Sequence, residues 1–195
     1  MASRAIRPLC KLGFVVGHAG MSRLAGEKPP SQEVARMGID CHLYAVDAAT
    51  ARQMAAHPRT ARPQPGGSVC DIHKAWHAIH YVLTGSAEGG AEPNCYLLEG
   101  GVPVGPPDDM EDQPRLLTPD HVRAFDGVLQ PINRLSVLRQ RFDHGGMVAA
   151  GVYSMNEGED EVEEDLEFTA HFFRRLRKFI HQAATAGQGV IISIG

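Results

Sequence analysis

Apolar and polar positions alternate from Gly38 to Val46. Ile39, Cys41, Leu43 and Ala45 fall on one side and Asp40, His42, Tyr44 and Val46 on the other, which predicts a strand. Asp47 then caps a short Ala-rich helix that reaches about His57, and residues 58–68 read as a loop rich in Pro, Gly, Arg and Gln. From Asp71 to Leu83 the spacing changes. Ile72, Ala75, Trp76, Ile79, Val82 and Leu83 form one stripe at about 100° per residue, which predicts a second helix ended by Thr84-Gly85. Asn94 to Glu99 reads as a short strand closed by Gly100-Gly101, and Val102 to Arg115 as a Pro- and Asp-rich loop. Thr118-Pro119-Asp120 starts a third helix with a capping oxygen, a proline suited to the first helical position and a carboxylate at the positive end of the dipole. Val122, Phe125, Val128 and Leu129 are its buried face, Pro131 ends or kinks it, and Ile132 to Phe142 is a further helical stretch. The longest helix runs from about Val162 to Ala186. Gly187 closes it, and Gly189 to Ile194 is apolar enough for a central strand.

Helices and strands mix here without a regular βαβ repeat. The fold class is therefore α+β: a single compact domain in which a small mixed β-sheet packs with several helices, including the long C-terminal one. The chain has 195 residues, and a domain of that length buries enough surface to fold without a metal or a disulfide.

Charge divides the chain. Residues 1–36 carry six basic and two acidic side chains, leaving 13 basic and 21 acidic in residues 37–195. Two readings of the basic segment stay open: a disordered N-terminal extension, or an assigned start upstream of a true one at Met37. Its apolar run, Leu12 to Val16, is too short for a secretory signal. The acidic domain lacks the positive surface that nucleic acid requires, and no stretch reaches the roughly 20 apolar residues of a membrane span. The four cysteines, Cys10, Cys41, Cys70 and Cys95, form no CxxC pair and read as free thiols in a reducing, cytoplasmic compartment.

The main candidate chemistry lies in residues 71–81. On a continuous helix His73, His77 and His80 share one edge, and histidines four apart can hold a metal ion. Lys74, however, stands where the HExxH motif places its glutamate base, and a two-turn separation is long for ligands of one tetrahedral ion. Asp71 and Tyr81 complete the cluster, and Trp76, the single tryptophan, reads as a core anchor. The acidic run Glu157 to Glu167 reads as a solvated start to the last helix that offsets its dipole. Arg174-Arg175-Leu176-Arg177-Lys178 reads as that helix's outer face. No nucleotide-binding glycine loop and no GxSxG elbow occurs, so no cofactor is indicated.

Three blocks resemble the YfbM-like family, a bacterial group of unknown function. They are Met37-Gly-Ile-Asp; Asp71-Ile-His-Lys-Ala-Trp-His-Ala-Ile-His-Tyr-Val-Leu-Thr-Gly85; and Leu117-Thr-Pro119 with Val122 and Leu129, continued by the long aromatic-rich helix and an ending at Ala184–Ile191. The resemblance covers about residues 37–195 and implies a compact α+β domain with a mixed sheet. Trp76 and His80 match the family's signature, and the resemblance implies no reaction. The reading that follows is a non-catalytic binding module that meets another protein through the acidic segment 157–167. Its rival is a metal-dependent hydrolase using His73, His77 and His80, with Asp71 or Tyr81 assisting.

Overall fold

Side chains along β1 (Cys41–Val46) are sorted between two cores. The computed structural model describes residues 38–61, 67–106, 113–155, 158 and 161–195. Met37–Gly195 forms one compact unit, whereas the basic segment 1–36, Cys10 and the carboxylates Glu157, Glu159 and Asp160 lie outside the described residues. Cys41, Leu43 and Ala45 enter the larger core, and Val46 and Tyr44 belong to the smaller one. Asp47 turns the chain into α1 (Ala48–Ala56) by accepting the Ala49 and Thr50 amides at 2.9 Å each. α1 covers the smaller core with Ala51 and Met54.

After β2 (Val69–His73) and α2 (Trp76–Thr84) come two short strands, β3 (Val102–Pro103) and β4 (Arg115–Leu117). Then follow α3 (Pro119–Leu129), α4 (Leu135–Arg141), α5 (His144–Ala149), α6 (Val162–Thr185) and β5 (Gly189–Ile194). The five strands lie in the order β2-β1-β5-β4-β3. Every pairing is antiparallel, so the sheet is not mixed in direction as expected. β5 is central, as its composition predicts, and Val190, Ile191 and Ile192 are buried on alternate faces. Gly189 must stay small: a Cβ there would lie 2.8 Å from the Ala51 Cβ and 3.0 Å from the Leu117 carbonyl.

The larger core joins the other face of the sheet to α2, α3 and α6. Phe125, Leu129, Phe173, Leu176 and Ile180 are within it, each contributing roughly 1.5–3 kcal/mol by leaving water. α3 starts as its sequence predicts, with the Thr118 hydroxyl accepting the His121 amide at 3.4 Å. α6 ends at Gly187, whose φ of 65° is the left-handed conformation that closes helices without a Cβ penalty.

Three elements differ from expectation. The stretch from Asp71 to Leu83 is not one helix: Asp71 and His73 belong to β2, and the helix begins at Trp76. Cys70 and Ile72 point into the core while Val69, Asp71 and His73 stay at least partly exposed, the period of two of a strand. Ile72 precedes Ala75, Trp76 and Ile79 at spacings that suit a helix as well, which is why the periodicity misleads. His73, at φ 45°, makes the bend between the two elements. Asn94–Glu99 is a run of turns rather than a strand. Its amides bond three and four residues back, as in Asn94 to Ala91 at 2.9 Å and Glu99 to Cys95 at 2.8 Å. The helical stretch expected from Ile132 begins only at Leu135, and the short β3, β4 and α5 lack a sequence signal of their own. No described helix is long and apolar enough to cross a membrane.

Candidate functional site

The first turn of α2 buries Trp76 at the edge of the core and leaves His77 half-buried beside it, while Ala78, Ile79, Val82 and Leu83 fill the core further along. The Trp76 indole N–H donates to the Ile39 carbonyl at 3.1 Å. The Ile39 amide in turn donates to the Tyr153 hydroxyl at 3.1 Å. The Trp76 ring stacks on His77, with centroids 4.7 Å apart and planes 6° from parallel, and on Tyr153 at 6.0 Å. Both nitrogens of His77 are used. Nδ1 accepts the Tyr153 amide at 2.8 Å, and Nε2 lies 2.8 Å from the Ala87 carbonyl. An amide can only donate, so Nδ1 is bare and Nε2 carries the proton it gives to Ala87. Burial lowers the His77 pKa, opposed by the Ala87 carbonyl and the Glu88 charge. Trp76 and His77 thus fasten the chain before β1, the loop after α2 and the segment after α5 to one helix turn. The Ser154 hydroxyl adds a bond to the Lys74 carbonyl at 3.3 Å.

The other candidate residues go elsewhere. His80 is fully buried, and neither ring nitrogen makes a hydrogen bond of normal geometry. Burial first, then the neighbouring His77, lowers its pKa to about 4, with Glu99 and the Gly89 backbone as lesser opposing influences. Its ring is neutral near pH 7 and shielded from solvent. His73 lies on β2, half exposed, with Nε2 3.3 Å from Asp71 and Nδ1 3.8 Å from Asp40. Asp71 also accepts the His73 amide at 2.8 Å, fixing the bend, and sits 3.8 Å from His42. Tyr81 packs against the core on the side of α5, where a Cβ at Gly146 would lie 2.6 Å from its hydroxyl. The structure therefore brings Trp76 and His77 together and places His80 near them, but His73 with Asp71 forms a separate surface cluster. No group of three or more His, Cys, Asp and Glu side chains is arranged to hold a metal ion among the described residues.

Sequence reasoning missed Tyr153 and Arg115. Arg115 is a largely buried cation whose guanidinium donates to the carbonyls of Leu97 at 2.8 Å, Gly100 at 3.0 Å and Tyr96 at 3.3 Å. Those bonds explain how the 94–100 segment satisfies carbonyls that no ladder pairs. A lone charge directly before Leu116-Leu117 was its only signal. Arg115 also lines a cleft of about 320 Å³ with Ile39, Trp76, Leu98, Ile192 and Ile194. The cysteines Cys41, Cys70 and Cys95 are buried and free. Burial pushes the Cys70 thiol up to about 11 and the Cys41 thiol further, so neither is a nucleophile near pH 7. The acidic run is not wholly solvated: Asp165 is buried, 3.1 Å from His144, and Glu163 forms a two-pronged pair with Arg139 at 2.6 and 2.7 Å.

These features define a small α+β domain in which Trp76 and His77 tie loops to a helix. The chain belongs to the family described as a domain of unknown function (DUF1877), whose model matches residues 37–193. In fold it is similar to YfbM from Escherichia coli, solved as a protein of unknown function. The TM-score is 0.61 at 16% identity, covering 80% of this chain and 99% of that one. No curated protein matches the chain. The family and the α+β class expected from the sequence are both found.

Proposed function

We propose that the 37–195 domain is a non-catalytic binding module of the bacterial cytoplasm. The observation that carries this reading is the double engagement of His77. A metal ligand needs a free lone pair, and a general base needs a nitrogen within reach of substrate. His77 offers neither without releasing Tyr153 or Ala87. His80 is enclosed and His73 is held at a separate carboxylate cluster, so the hydrolase alternative requires His77 and His73 to leave their present partners and His80 to leave the interior. The buried free thiols support a reducing compartment. With 13 basic and 21 acidic residues in 37–195, a basic partner protein suits the surface, and Glu164 and Glu167 are exposed at the start of α6 to meet it.

Calorimetric titration of the chelator-treated protein with zinc, followed in parallel by Trp76 fluorescence, tests this reading. The expected result is no saturable heat and no change in emission. Stoichiometric zinc binding that disappears in His77→Phe would overturn it.

A further inference from the structure

We infer that the cavity between α4 and α6 binds a small phosphomonoester that carries an apolar group. The inference rests on the binding-module reading and names a ligand for it. The cavity, of about 680 Å³, lies within the size range of small-molecule sites. Its floor is apolar, with Ile132, Leu138 and Phe173 all buried. Its walls carry three guanidiniums, Arg134, Arg174 and Arg177, against a single carboxylate, Glu167.

Charge makes this cavity unusual for its domain. Acidic residues outnumber basic ones across 37–195, yet three arginines gather here and none forms an ion pair among the described residues. Three guanidiniums facing one carboxylate leave an excess of positive charge that an anion would balance. The set is also partly preorganised. Asp126 accepts from the Gln130 amide at 2.6 Å, and Gln130 accepts from an Arg177 terminal nitrogen at 2.7 Å, which fixes that guanidinium. The Arg177 Nε is buried and makes no hydrogen bond. Arg174 spends only its Nε, on the Ala170 carbonyl at 3.1 Å, leaving its terminal fork for a ligand.

The lining carries a net charge of about +2, which matches the charge of roughly −1.5 to −2 on a phosphomonoester better than a carboxylate. The apolar floor then asks for an aromatic or aliphatic body beside the phosphate. The volume and two-helix walls favour a small molecule over a protein segment.

Isothermal titration of the full chain with phenyl phosphate tests this. Benzoate and inorganic phosphate probe the anion and the apolar group separately, and a phosphotyrosine peptide probes the protein-segment alternative. The expected result is saturable binding of one phenyl phosphate per chain, with each of the other three ligands weaker by about tenfold or more. The double variant R134Q/R174Q changes two exposed side chains and should weaken phenyl phosphate about tenfold, while R123Q on α3 leaves it unchanged. No binding, equal binding by the double variant, or a preference for benzoate or the peptide overturns the proposal. Phosphorus NMR of the same sample separates the two claims. Release of inorganic phosphate would overturn the non-catalytic reading, whereas intact ester without binding would overturn only the ligand site.

Discussion

His77 accepts the Tyr153 backbone amide on Nδ1 at 2.8 Å, across 76 residues of sequence, and this one bond dictates the state of the ring. The imidazole must be neutral with its proton on Nε2, and that proton is given to Ala87. His77→Phe keeps a flat ring against Trp76 but leaves the Tyr153 amide and the Ala87 carbonyl without partners. The loss expected from two abandoned polar groups is about 2–4 kcal/mol. Urea unfolding checks it: the midpoint should fall with the slope unchanged.

His80 supplies the pH dependence. Burial holds its pKa near 4 in the fold, against 6.5 as the ordinary value. Between those limits the unfolded chain takes up more protons than the folded one. The stability this ring contributes is therefore complete above about pH 6.5 and lost as the pH falls toward 4, by roughly 3 kcal/mol. His77, also depressed by burial, adds to the loss in the same direction. His80→Leu removes a buried polar ring whose nitrogens make no hydrogen bond of normal geometry, so it should flatten the stability profile between about pH 5 and 7 without weakening the protein near pH 8. Thermal unfolding across that range reads the difference.

Arg115 anchors the 94–100 turns by three carbonyls that otherwise face the interior. Lys at this position can supply a charge but not the planar fork, so Arg115→Lys should cost about 1–3 kcal/mol. Arg115→Met should cost more, because it removes every donor. Hydrogen exchange should rise first in residues 94–100, and a change spread evenly over the fold would contradict the anchoring role.

The sequence made legible those elements whose local chemistry agrees with their packing. Asp47 and Thr118 are caps in both readings, and β5 is apolar because both of its faces are covered. Residues 71–83 failed for a specific reason: Ile72 faces the core as a strand residue at the same spacing from Ala75 and Trp76 that a helix would use. Residues 94–99 failed because Arg115, distant in sequence, satisfies the carbonyls that a strand would have paired. At the site, the importance of Trp76 and His77 was visible, but their partners were not. Ile39, Ala87 and Tyr153 contribute two backbone carbonyls and one amide to the two side chains, and a backbone group has no sequence signature. The arginines of α6 read as a solvated face because the cavity they line is completed by α4, which periodicity alone does not place there.

The central claim is that His77 is a structural bracket rather than a chemical group. Long-range nitrogen–proton NMR of the ring, followed from about pH 8 to pH 5, tests it most directly. The account predicts a single neutral tautomer protonated on Nε2 that resists protonation to below the usual histidine range, in keeping with its lowered pKa. A ring protonated on Nδ1, or one that titrates as an ordinary exposed histidine, would contradict it.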